Sequence, residues 1–179
     1  MKPKLIIFTD VGDTIIDEST EVRTKPEGIV YHAQCIPGAK ETMLELYRRG
    51  YVIAMVADGL VESFHNTMRE NGLDHIFRTE TISETLGVEK PAPIMFQAAM
   101  DSLHLTGADK ERIIMVGNNI KRDVAGANRF GIRSVLMSWS PRYDYEPSAL
   151  DETPTFRLRS PEELLPLAEK LNATLCAEI

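Results

Sequence analysis

Asp10 is the first residue whose surroundings could do chemistry. It follows a short apolar run and opens the string Asp10-Val11-Gly12-Asp13-Thr14-Ile15. Other polar groups sit in comparable places: Asp58 inside Ala57-Asp58-Gly59, Lys90 ahead of Pro91, and Asn118 and Asp123 inside Gly117-Asn118-Asn119-Ile120-Lys121-Arg122-Asp123. Each has an ordinary reading. Asp-Gly after a strand is usually a turn, Lys before Pro a solvated loop charge, and Asn-Asn a pair tolerant of left-handed backbone. Asp123 could simply favour a helix N-terminus. In this order, with one strand–helix unit between neighbours, the set points to phosphoryl chemistry. A carboxylate nucleophile divides phosphate-ester hydrolysis into two easier steps through an aspartyl-phosphate. Mg²⁺, which prefers carboxylate, water and phosphate oxygens, brings the two anions together. A lysine offsets charge on the transferring group.

Such groups need a scaffold. Apolar runs at 4–9 (KLIIFT), 51–56 (YVIAMV), 112–116 (RIIMV) and 133–137 (RSVLM) read as strands buried on both faces. Residues 38–49, 60–71, 91–103 and 120–130 carry helical spacing, with Met43, Leu44, Leu46 and Tyr47 on one face of the first. Gly50, Gly72 and Gly131 stand where helix C-caps belong, and Ser160 where a closing helix over 161–171 would begin. A short strand within 60–89 completes the set. The alternation predicts an α/β, three-layer Rossmann-like fold in one domain over 1–179. Its sheet is expected to be mainly parallel and five-stranded, with helices on both faces and no large cap domain. Ligands bind such sheets outside the carboxyl ends of the strands, where the polar groups named above fall.

Composition narrows the partners. A net charge of −7 and a pI near 5.2 disfavour nucleic acid, since the basic residues are scattered and form no stripe. No apolar run approaches the ~20 residues of a membrane helix, and the stretch 5–8 is too short for a signal-peptide core. Cys35 and Cys176 read as thiols in a reducing compartment, so a cytoplasmic location is expected.

The motifs together resemble those of the haloacid dehalogenase-like hydrolase superfamily, over roughly residues 4–137. That family opens with an apolar strand and Asp-x-Asp-Gly-Thr-Leu, here Asp10 to Ile15. Its second motif ends a strand with Ser or Thr, here Ala57-Asp58-Gly59. Its third is Lys-Pro-x-Pro, here Lys90-Pro91-Ala92-Pro93, and its fourth is Gly-Asp-Ser with a later Asp, here Gly117-Asn118-Asn119 and Asp123. The resemblance implies catalysis by Asp10 and Lys90. It implies Mg²⁺ on Asp10, the Gly12 carbonyl, Asn118 and Asp123. Phosphate would be held by Gly12, Asp13, Thr14, Ala57, Asp58, Gly59 and Lys90.

Three departures bear on turnover. Gly12 stands where the family places a general acid/base Asp, a loss of about 10²–10⁴-fold in rate unless something replaces it. Asp13, freed by glycine flexibility, is one candidate replacement. Ala57 lacks a phosphate-binding hydroxyl, leaving the N–H groups of Asp58 and Gly59 to serve, and Asn118 replaces a metal-binding carboxylate. Two functions follow: a Mg²⁺-dependent phosphatase acting on a small phosphate monoester or acyl phosphate, or an impaired phosphate-binding or interaction protein on the same fold. A two-component receiver also uses a strand-end Asp, Mg²⁺ and Lys, but adds an acidic pair that Ile6-Ile7-Phe8-Thr9 does not provide. Two irregular segments remain. Residues 17–36, with Tyr31, His32 and Cys35, form either a small flap over the site or a surface loop. Residues 138–154, with Trp139, Tyr143 and Tyr145, fit a substrate wall, a homodimer contact or packing on the sheet edge.

Overall fold

The computed structural model describes residues 4–177. In chain order the elements begin with β1 (Ile6–Thr9), the hairpin strands β2 (Val22–Arg23) and β3 (Val30–His32), α1 (Ala39–Arg48) and β4 (Val52–Ala57). Then come α2 (Val61–Glu70), β5 (Phe77–Ile82), the single turn α3 (Ser83–Leu86) and α4 (Pro93–Ser102). The chain continues through β6 (Ile113–Gly117), α5 (Ala125–Phe130), β7 (Arg133–Met137), β8 (Phe156–Leu158) and α6 (Leu164–Ala177).

Alternation along β1 explains the layers. Leu5 and Ile7 point to one face of the sheet, where they join Ile53, Met55, Val116, Met43 and Leu46. Ile6 and Phe8 point to the other and pack with Ala54, Met115, Met95 and Phe96. Both faces therefore carry a core, and fully burying each large apolar side chain contributes roughly 1.5–3 kcal/mol. The sheet runs β5-β4-β1-β6-β7-β8, with every pair parallel. It has six strands where five were expected. The sixth, β8, is the three-residue Phe156-Arg157-Leu158 on the edge beside β7, too short to leave a periodic signature.

Other boundaries shifted for local reasons. The closing helix opens as a 3-10 turn (Pro161–Glu163) before α6. The helix expected from 120 starts as a five-residue π turn (Ile120–Val124), whose wider coil turns Asp123 inward, where it is buried. Segment 17–36 is ordered: a 3-10 turn (Glu18–Thr20) leads into the β2–β3 hairpin, and β3 lies against α2. There the Val30 N–H donates to Ser63 Oγ at 3.0 Å, and the Asn66 side chain donates to the Val30 carbonyl at 3.1 Å. Among the described residues no separate cap domain is present, and no helix is long and apolar enough to cross a membrane.

Candidate active site

Strand order reverses at β1: β4 and β5 lie on one side, β6 to β8 on the other. A crevice at its carboxyl end is the expected consequence. Asp10 is the first residue past β1, and its N–H donates to the Val116 carbonyl at 2.8 Å, which ties the turn to β6. Lys90 reaches the same point from the loop before α4. Its buried amine donates to Asp10 Oδ1 at 2.8 Å and to the Val56 carbonyl at 2.8 Å, and lies 2.7 Å from Asp123 Oδ1. The last contact is an ion pair whose geometry is not that of a hydrogen bond, so the buried Asp123 Oδ1 accepts none. Its Oδ2 accepts from the Asn119 N–H at 2.9 Å. Gly117 makes room for this carboxylate, since a Cβ there would lie 2.2 Å from Asp123 Cγ.

The charges set one another. Burial pushes the Asp10 carboxyl up to about 7; Lys90 pulls against that rise and Asp123 adds to it. For Lys90 burial opposes the charge, yet Asp10, Asp123 and Asp58 outweigh it and hold the amine above its ordinary range. Burial also raises Asp58, whose Oδ1 accepts the Lys90 backbone N–H at 3.0 Å. A cleft of about 290 Å³ opens above these groups.

Asp10, Gly12, Asp58, Gly59, Lys90, Asn118 and Asp123 all line the cleft, as their strand-end positions led one to expect. Asp13, Thr14 and Ala57 do not. Asp13 is wholly buried in a turn of positive φ (46°) and is surrounded by donors. The Arg142 guanidinium, the Tyr143 hydroxyl (2.7 Å) and the Glu18 N–H (3.2 Å) all donate to its carboxylate. With three donors on its carboxylate and no place in the lining of the cleft, it is tied to the loop and not set in the space beside Gly12. Thr14 borders a small apolar void with Ile15, Met43 and Met137, and its buried hydroxyl has no partner. The Gly59 N–H, expected to meet phosphate, donates instead to Ser83 Oγ at 2.9 Å.

Sequence reasoning missed Arg122 and Glu18 at the cleft, and left Tyr143 there as one of several alternatives. Arg122 spans Asp58 (3.4 Å) and Glu89 (3.2 Å) on its rim, and its place inside the fourth motif string was the available signal. Tyr143 comes from the aromatic segment, whose other members turn elsewhere: Trp139 packs on the main core and Tyr145 on Ile120, Val124 and Leu136. Glu18, which had no sequence signal, lines the cleft with a carboxyl raised by burial and by Asp13 and Glu21. Of the suggested flap residues, Tyr31 is exposed and His32 pairs with Glu70 at 2.5 Å; Glu21, Arg23 and Val30 are what the hairpin region gives the cleft.

The model of the haloacid dehalogenase-like hydrolases matches residues 7–137, and the chain belongs to that family. Its relatives include the glyceraldehyde 3-phosphate phosphatase of Methanopyrus kandleri, 33% identical over 135 residues, covering 75% of this chain and 57% of that protein. The phosphoserine phosphatase of Thermus thermophilus is 32% identical over 135 residues, covering 75% of this chain and 51% of that protein. The chain thus spans about half the length of the curated relatives it matches. The crystal structure of a HAD phosphatase from Thermococcus onnurineus superposes with a TM-score of 0.72 at 16% identity, covering 93% of this chain and 97% of that one. That likeness is one of fold.

Proposed function

We propose that the protein is a Mg²⁺-dependent phosphohydrolase that cleaves a small phosphate monoester or acyl phosphate through an aspartyl-phosphate on Asp10. One observation carries the reading: the Asp10 carboxylate stands at the strand-order reversal, held by a buried lysine that also pairs with Asp123. The names of the two phosphatase relatives support it, and a cleft near 290 Å³ suits a small substrate.

The donors fit Mg²⁺. They are hard oxygens only, namely the Asp10 and Asp123 carboxylates, the Asn118 amide and the Gly12 carbonyl, and the unbonded Asp123 Oδ1 is the kind of atom a cation satisfies. Mg²⁺ held by so few protein oxygens would complete its coordination with water and phosphate oxygens. Bound there, the ion would supply positive charge to offset the repulsion between Asp10 and the phosphate. Asp10 attacks phosphorus, Lys90 offsets the charge on the equatorial oxygens, and Arg122 adds a second cation on the rim of the same cleft. Two free thiols accord with a cytoplasmic setting.

The test is hydrolysis of a chemically varied phosphate panel, with Mg²⁺ or with EDTA, beside Asp10→Asn. Mg²⁺-dependent release of phosphate that disappears in the variant is the expected result. Equal rates in Asp10→Asn, or no cleavage of any ester or acyl phosphate, would overturn it.

A further inference from the structure

Gly12 leaves a space where the resemblance expects a carboxylate, and that space is filled. A Cβ built on Gly12 would lie 2.0 Å from Glu18 Oε1 and 2.9 Å from Glu18 Cδ. The carboxyl of Glu18 thus occupies the volume a side chain at position 12 would enter. The 3-10 turn that carries it is pinned at its start: Asp17 Oδ1 accepts from the Ser19 N–H at 3.0 Å, and the Glu18 N–H donates to Asp13 Oδ1 at 3.2 Å. On the far side of the carboxyl stands Tyr143, its hydroxyl 2.7 Å from Asp13 Oδ2 and 3.1 Å from Glu18 Oε2. A phenol has one proton to give, and the shorter contact takes it. Its oxygen can then accept a hydrogen bond from the Glu18 carboxyl. Glu18 shares the cleft with Asp10 and Lys90.

We propose that Glu18 is the general acid and base of the reaction, delivered by the turn after the nucleophile loop into the space left by Gly12. The proposal rests on the phosphohydrolase reading given above. As Asp10 Oδ bonds to phosphorus and the ester P–O bond breaks, the Glu18 carboxylic acid gives its proton to the departing oxygen, releasing the alcohol. The carboxylate so formed then takes a proton from the water whose oxygen attacks phosphorus. The bond to Asp10 breaks, inorganic phosphate leaves, and Glu18 is again neutral. Water is the only co-reactant.

Glu18→Gln keeps the shape and loses the proton donor. Its kcat/KM for an alkyl phosphate such as glycerol phosphate should fall about 10²–10⁴-fold. Acetyl phosphate, whose leaving group needs no proton, should still phosphorylate Asp10 in this variant. Hydrolysis would then stall for want of a base, so the intact mass should show a phosphorylated species that Asp10→Asn lacks. The double variant Gly12→Asp with Glu18→Ala returns a carboxylate to the same volume and should outpace Glu18→Ala alone on alkyl phosphates. Alkyl phosphate turnover in Glu18→Gln within about threefold of the parent, with no accumulated phosphoenzyme, would overturn the role of Glu18 while leaving Asp10 in place. A double variant no faster than Glu18→Ala would overturn the shared-volume argument. Turnover that survives Asp10→Asn would instead remove the underlying reading.

Discussion

Replacing Lys90 with Met keeps the length of the side chain and removes the charge that the partly buried Asp10 and the buried Asp123 face. With the amine 2.8 Å from Asp10 and 2.7 Å from Asp123, each attraction amounts to about 6 kcal/mol at an effective dielectric near 20. Desolvation opposes most of this, and breaking such a pair by deleting one partner costs about 3–5 kcal/mol. For a domain of this size that corresponds to a fall in Tm of roughly 6–20 °C. The pH dependence has a definite sign. Lys90 lowers the Asp10 pKa, so its loss lets that carboxyl rise beyond about 7. Folded protein then holds a proton that the unfolded chain releases near pH 4, and stability falls as pH rises through that interval. The penalty of Lys90→Met should therefore grow between pH 7 and 9. Adding Asp10→Asn should recover 1–3 kcal/mol of it, on the order expected for directly coupled neighbours. Urea denaturation in EDTA across this pH range measures both. A penalty below about 1 kcal/mol, or one that is flat with pH, would refute the reasoning.

Tyr143→Phe strips a donor from the wholly buried Asp13 and should cost about 1.5–3 kcal/mol in the same denaturation measurement. Gly117→Ala drives a methyl to within 2.2 Å of Asp123 Cγ. Overpacking of about 1–3 kcal/mol is expected, together with loss of the Mg²⁺ response in the phosphatase assay. Cys35 has its thiol pushed up from 9.0 to about 11 by burial, so its thiolate should be about 100-fold scarcer at neutral pH. Peptide mapping after brief iodoacetamide treatment should find it nearly unlabelled, and labelling as fast as that of glutathione would contradict this.

Asp10, Lys90 and Asp123 were legible in the sequence because each lies beside an element with a strong period. A buried parallel strand such as 52–57 announces its carboxyl end, and in this topology the end is where chemistry gathers. Glu18 was not legible for the opposite reason. It stands on a three-residue 3-10 turn, where no period exists, and its meaning depends on an absent side chain at Gly12. The destination of Asp13 was equally hidden, since its partners Arg142 and Tyr143 lie more than a hundred positions along the chain. Strand β8 and the β2–β3 hairpin escaped notice because two or three residues cannot show alternation, and contacts with β7 and α2 create them.

Asp13 also alters where the working unit ends. The family pattern stops at residue 137, yet the loop that follows Asp10 is fastened by a guanidinium and a phenol beyond that point, at Arg142 and Tyr143. A protein cut after 137 would retain Asp10, Lys90 and Asp123 and would lose two of the donors that hold the Asp13 carboxylate, together with the core residues of β8 and α6. Anyone transplanting this loop into another scaffold has to move both stretches together. The heritable module is thus discontinuous: a substitution at 142 or 143 is, in physical effect, a change in the loop that follows Asp10.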